Sequence, residues 1–203
     1  MKENEEQPIS HEMCPHGNFP GGCEACAQKR DKWDAATQKT EKITDAIGKE
    51  IDPGIKESVI GLLAHDFPTD QSCEGHLRKG AIPNPWVRVG VEIPKEAFKD
   101  FHEKTTIEEA KKMLAQYIEQ NRQIRERLVP LIEKFNEGRD VDPQIKLEAA
   151  IFNMYDHSVI QPVGAEEFEK VTDEKERGRI LELSRKEMND FAAFLKEEFF
   201  SQP

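Results

Sequence analysis

The sequence predicts an α+β protein, a small antiparallel sheet packed against long helices, preceded by a short segment rich in cysteine, histidine and glycine. Three observations predict it. Apolar residues recur at unbroken three- and four-residue spacing from Ile107 to Phe135, and a second such stripe fills the last 30 or so positions. Apolar residues alternate at Val87, Val89, Val91 and Ile93, and again at Ile145, Leu147, Ala149 and Ile151. The balance of 36% hydrophobic against 34% charged residues in 203 suits long helices with wide solvated faces. The formal net charge of −11 provides no basic stripe to displace counterions from phosphate, which argues against nonspecific nucleic-acid binding.

The elements follow in order. Residues 1–12 are polar and aperiodic and read as a tail. Residues 13–30 form a separate segment, and 31–203 the α+β domain. A helix is expected from about Asp31 to Ile47 with Gly48 as its stop, and the next starts with Asp52 as N-cap and Pro53 at the first helical position. Ile55, Val59, Leu62 and Leu63 are its buried stripe. Phe67 to Trp86 is dominated by turn formers and short polar side chains and reads as a loop. It leads into the Val87–Ile93 strand, which is expected to pair with Ile145–Phe152 and to bury Val87, Val89, Val91 and Ile93 on one face. After a turn at Asn153–His157, Ser158–Val163 returns as a hairpin partner, and Pro162 suggests an edge position.

The seam Ile107, Ala110, Leu114, Tyr117, Asn121, Ile124, Leu128, Leu131 and Phe135 is of coiled-coil type, with Asn121 as its polar member; a buried Asn in such a seam fixes register or oligomeric state. Pro130 predicts a kink or break. The segments at about 105–137 and 173–200 then form a helical hairpin within a monomer, or the seam joins a homodimer. No stretch approaches the roughly 20 apolar residues of a membrane span. The first residues lack the basic and apolar regions of a signal peptide, so a cytoplasmic protein is expected, in which cysteines are reduced.

Cys14-Pro-His16 followed by Gly21-Gly-Cys23-Glu-Ala-Cys26 places four soft or borderline ligands within one short, turn-permissive run. A closed tetrahedral zinc site wants four N/S ligands, and the two-residue gap between Cys23 and Cys26 lets one turn present both thiolates. Zinc would supply nearly all the folding free energy of so small a segment. His11 competes with His16 for the fourth place, and a redox Cys-x-x-Cys pair or ordinary reduced thiols are the alternatives.

The second cluster is Thr69-Asp-Gln-Ser72-Cys73-Glu74-Gly75-His76, closed by Trp86. Four readings stand side by side. Cys73 is a small core residue; or Thr69, Ser72, Cys73, Glu74, His76 and Trp86 line a small-ligand or anion pocket; or Cys73 and His76 hold a second metal, completed by His65, Asp70 or His157; or Cys73 is a nucleophile with His76, or better His157, as base. Loops aimed by ordered neighbours carry function often enough that this one is the expected site.

The run from Ile51-Asp-Pro-Gly-Ile-Lys-Glu through Phe67-Pro-Thr-x-x-Ser-Cys-Glu-Gly-His-Leu to Pro-Trp-Val-x-Val at Pro85–Val89 resembles a family of uncharacterised bacterial and phage proteins, with a looser match at Gln161–Glu166. The shorter Thr-x-x-Ser-Cys-x-Gly pattern is similar to the tRNA wybutosine-synthesising methyltransferase family, which would imply cofactor-dependent group transfer; that family's following basic residue is His76 here. Two functions follow. One is a zinc-containing binding or regulatory module that takes a small ligand or protein partner through the Thr69–His76 loop. The other is an enzyme using Cys73 with His76 or His157.

Overall fold

The computed structural model describes residues 23–44, 49–77, 83–92, 107–153 and 155–201. In order these form α1 (Glu24–Glu41), α2 (Pro53–Ala64), β1 (Thr69–Cys73), β2 (Trp86–Val89), α3 (Ile107–Asn136), β3 (Leu147–Ile151), β4 (Ser158–Pro162), the single turn α4 (Ala165–Phe168) and α5 (Glu174–Ser201). The architecture is α+β, with one four-stranded antiparallel sheet of order β1-β2-β4-β3 and helices covering it. Among the described residues no helix is long and apolar enough to cross a membrane.

The central core joins every layer. Val87 and Val89 of β2, Ile160 of β4 and Leu147 of β3 meet Ile55, Val59 and Leu62 of α2, Leu128, Ile132 and Phe135 of α3, and Met188, Phe191 and Leu195 of α5. Val87 and Val89 are buried on the covered face, as the alternation predicts. A second cluster lays Trp33 of α1 on Ile60 and Ala64 of α2 and on Phe199 of α5, with the Trp33 and Phe199 rings 5.6 Å apart. The partner that α5 approaches most closely is α2: a Cβ on Gly61 would lie 2.9 Å from the Leu195 side chain, so only glycine permits this separation. α3 joins the same core through Phe135, whose ring lies 5.1 Å from that of Phe191.

Several expectations are corrected. β2 does not pair with the strand near residue 147; β4 lies between them. β4 is therefore central, and Pro162 is not on an edge strand. The proline is tolerated because Val163 N–H already donates to Lys146 across the β3 ladder, which turns Pro162 toward β2, and β2 has ended at Trp86 by that level. Strand β2 stops at Val89, because the Val91 amide is taken by a side chain, that of Asn121, while Ile93 lies outside the described residues. β1 falls in a stretch read as loop: its sequence Thr-Asp-Gln-Ser-Cys is polar because it is an edge strand with both faces partly exposed, so no alternation marks it. α1 begins ahead of Asp31 and ends at Glu41, short of Gly48. α3 does not break at Pro130, which is exposed, as is Glu126, the residue whose carbonyl loses its partner.

Asn121 is buried, and its partners are backbone groups of its own chain: Oδ1 accepts from Val91 N–H at 2.8 Å and Nδ2 donates to Tyr155 O at 2.7 Å. It fixes the end of β2 against the β3–β4 turn. Gly90 is required beside it, since a Cβ there would come within 2.3 Å of the His157 ring.

Candidate functional site

The site forms where α2 begins and β1 ends. α2 stops in a Schellman turn, with Asp66 in the left-handed region at φ 61, Phe67 N–H donating to Leu62 O at 2.9 Å and Asp66 N–H to Leu63 O at 3.1 Å. Phe67 drops into the core, and Pro68 leads the chain into β1 beside β2. β1 then runs back toward the N-terminus of α2, with Cys73 opposite Trp86.

Past Cys73 the chain is clamped. Arg185 of α5 donates through Nε to Glu74 O at 2.9 Å, and through a terminal nitrogen to Gly75 O at 2.8 Å and the Glu74 carboxylate at 3.2 Å. Gly75 has φ +78, and a Cβ on it would lie 2.7 Å from the Asn84 backbone and from Leu181. Glu74 Oε2 accepts from Gly54 N–H at 2.8 Å, satisfying a donor in the first turn of α2.

This exchange changes the role of Asp52. It occupies the N-cap position but makes no side-chain cap bond, because Glu74 has taken over that work from across the loop. The Asp52 carboxylate turns to the loop instead. Oδ1 accepts from Lys49, and Oδ2 lies 3.4 Å from the Glu74 amide and 3.5 Å from His76 Nε2. One ligand atom each from Asp52, Cys73 and His76 then lies within 4.8 Å of the others. Gly75 N–H also donates to Cys73 Sγ, at 3.4 Å.

Electrostatics separate the two acidic groups. Burial pushes the Cys73 thiol above its ordinary 9.0; the Gly75 N–H and Lys49 oppose this, while the charges of Asp52 and Glu74 add to it. Burial also pushes the Asp52 carboxyl up, but the hydrogen bonds from Lys49 and the Glu74 amide, with the charges of Lys49 and His76, outweigh that and hold it below its ordinary 3.8. At neutral pH a carboxylate thus lies beside a protonated thiol.

Next to this triad lies a cleft of about 270 Å³, with Ile51, Val59 and Trp86 as apolar walls and Lys49, Thr69, Asp70 and Ser72 among the polar ones. Asp52 belongs to both. The sequence-predicted loop residues are therefore divided: Thr69, Ser72 and Trp86 line the cleft, Cys73 and His76 join Asp52, and Glu74 is committed to Gly54 and Arg185.

The companions proposed for Cys73 from sequence lie elsewhere. His157 sits beside Gly90, the length of β2 from the Trp86 opposite Cys73, about 13 Å away. Both its ring nitrogens are engaged, Nε2 with Val91 O at 3.0 Å and Nδ1 with Asn153 Oδ1 at 3.1 Å. His65 contacts Leu195 O at 2.8 Å and the Phe199 ring, and Asp70 accepts both hydrogen bonds of a two-point pair with Arg88. In the N-terminal set, Cys23 is buried at the N-cap of α1 and Cys26 is half-buried in its first turn, while His11, Cys14 and His16 lie outside the described residues.

Sequence reasoning missed Asp52 as a site residue, along with Lys49 and Arg185. The one available signal was Gly54, a poor residue for a helix start: a Cβ there would lie 2.6 Å from Glu74 Oε2, so its absence marks the close approach of the loop. Comparison of the chain with protein-family models, with curated proteins and with solved structures finds no match.

Proposed function

We propose that the protein is a binding module that takes a small ligand in the cleft between α2, β1 and β2. The observation that carries this reading is the cleft itself: Thr69, Ser72 and Trp86, singled out by residue type, line it together with Lys49 and Asp52. Its composition, apolar walls with a few convergent polar groups, is that of a small-molecule site. Two findings favour binding over thiol catalysis. Burial and neighbouring carboxylates keep Cys73 protonated, whereas a nucleophilic cysteine requires the thiolate. His157, the better base in the sequence reading, is held at the far end of β2.

Zinc at Cys14, His16, Cys23 and Cys26 belongs to the same proposal. It is supported by the ligand spacing and by the placement of Cys23 and Cys26 on one helical turn. A monomer is favoured over a seam homodimer, because Leu128 and Phe135 are already buried in the chain's own core and Asn121 is engaged within it.

The test is an NMR screen of the full-length, isotope-labelled chain against a library of small polar aromatic fragments. Bound fragments are expected to shift the amides of Thr69–Ser72 and the Trp86 indole, and Ser72→Leu is expected to weaken them at least tenfold. Hits that map only to other surfaces, or affinities that Ser72→Leu leaves unchanged in a folded protein, would overturn the reading.

A further inference from the structure

Three donors of different chemistry converge beside the cleft from three parts of the chain: a carboxylate from the start of α2, a thiol from the end of β1 and an imidazole from the loop that follows. We propose that Asp52, Cys73 and His76 bind a divalent ion of the zinc class, through one carboxylate oxygen, Sγ and a ring nitrogen.

The geometry is suited to it. Two nitrogen or oxygen ligands held about 2.0–2.1 Å from a tetrahedral zinc lie about 3.3–3.4 Å from each other. Asp52 Oδ2 and His76 Nε2 are 3.5 Å apart, and all three ligand atoms fall within 4.8 Å. The donor set is mixed N/S/O, which selects zinc and its neighbours over magnesium or calcium, whose shells are built of oxygen.

The surroundings hold the donors in place. Glu74 relieves Asp52 of its capping bond, which leaves Oδ2 with a long 3.4 Å bond from the Glu74 amide and a lone pair for an ion. Arg185 fixes the loop backbone at Glu74 and Gly75 between the second and third donors. The Gly75 N–H already points at Cys73 Sγ, a backbone dipole of the sign that steadies a metal-bound thiolate. Lys49 remains on the other Asp52 oxygen and orients the carboxylate.

Three protein ligands leave a fourth position. Closed structural sites use four, whereas sites that engage water or a ligand keep one open. Asp52 also lines the cleft, so an ion held on its carboxylate would sit at the edge of that space. Metal binding does not depend on the cleft reading; the two tests fail separately.

The full chain contains four cysteines. Replacing Cys14, Cys23 and Cys26 by serine therefore leaves Cys73 as the sole thiol, and any thiolate-to-cobalt charge-transfer band must come from it. The chelator-treated triple variant, its fold checked by near-ultraviolet circular dichroism, is titrated with Co²⁺. The expected result is a band saturating at one equivalent, abolished by Cys73→Ala and needing at least tenfold more Co²⁺ after His76→Ala or Asp52→Asn. No band in a folded protein, or a band indifferent to both His76→Ala and Asp52→Asn, overturns the proposal. If the triple variant does not fold, the unaltered chain serves: Cys73→Ala with His76→Ala should lower the bound Co²⁺ by one equivalent, and an unchanged stoichiometry overturns the proposal.

Discussion

Two glycines with nearly the same backbone angle serve different ends. Gly75 has φ +78 and Gly138 φ +67, but a Cβ on Gly75 meets the Asn84 backbone and Leu181, while one on Gly138 meets nothing within 4 Å. Gly138→Ala should therefore cost only the left-handed strain, about 1 kcal/mol. Gly75→Ala should add a steric clash and cost at least about 3 kcal/mol by urea denaturation. Glu74 permits a sharper test of the site's construction. Glu74→Ala removes the acceptor for Gly54 N–H and a partner of Arg185, and Asp52 is then free to return to its capping bond. The expected outcome is a stability loss of about 1 kcal/mol, measured by urea denaturation, with a loss of metal affinity larger than that energy accounts for. At this scale the residue types were readable in the sequence and the partnerships were not. Cys73 and His76 stood out by residue type, with a second metal as one of four readings. Asp52 looked like an ordinary cap, because the residue that replaces it in that role, Glu74, reaches it only through the tertiary fold.

Elements declared themselves in proportion to how deeply they are buried. α2, α3 and α5 carry apolar stripes because one face of each meets the core, and β2 alternates because Val87 and Val89 do. β1 is a polar edge strand and carries no such mark, so the strand that aims the site was the one invisible in the sequence. Pro162 misled for a related reason: an edge rule about strands was satisfied by the end of a neighbouring strand instead. The turn that launches β1 offers a prediction. Asp66 holds φ 61, and its pair with Lys32 is exposed on both sides and worth little. Asp66→Gly should therefore raise stability by about 0.5–1 kcal/mol, seen as a higher urea midpoint at unchanged slope.

Across the whole molecule, α5 is the spine. It carries Arg185 to the loop, Met188, Phe191 and Leu195 to the core, Phe199 to Trp33, and Glu187 with Asp190 to Arg139 after α3. The last of these makes stability depend on pH. Burial pushes Asp190 up, but hydrogen bonds and charge from Lys186 and Arg139 hold it below its ordinary 3.8. A carboxyl depressed by folding stabilises the native state in full above its ordinary value, and that contribution is lost as the pH falls through the folded value. Arg139→Met should thus cost about 3 kcal/mol at neutral pH, where Glu187 is left buried without its partner and Asp190 keeps only Lys186, and less at a pH below the folded value of Asp190. Urea titrations at both pH values check it. α2, β1 and the Arg185-clamped loop bring Asp52, Cys73 and His76 within 4.8 Å of one another. An anomalous difference map at the zinc absorption edge, from crystals of the full chain grown with Zn²⁺, measures this directly. A peak is expected about 2.0–2.3 Å from Asp52 Oδ2, Cys73 Sγ and His76 Nε2; no peak there, with Cys73 and His76 pointing apart, would rule the site out.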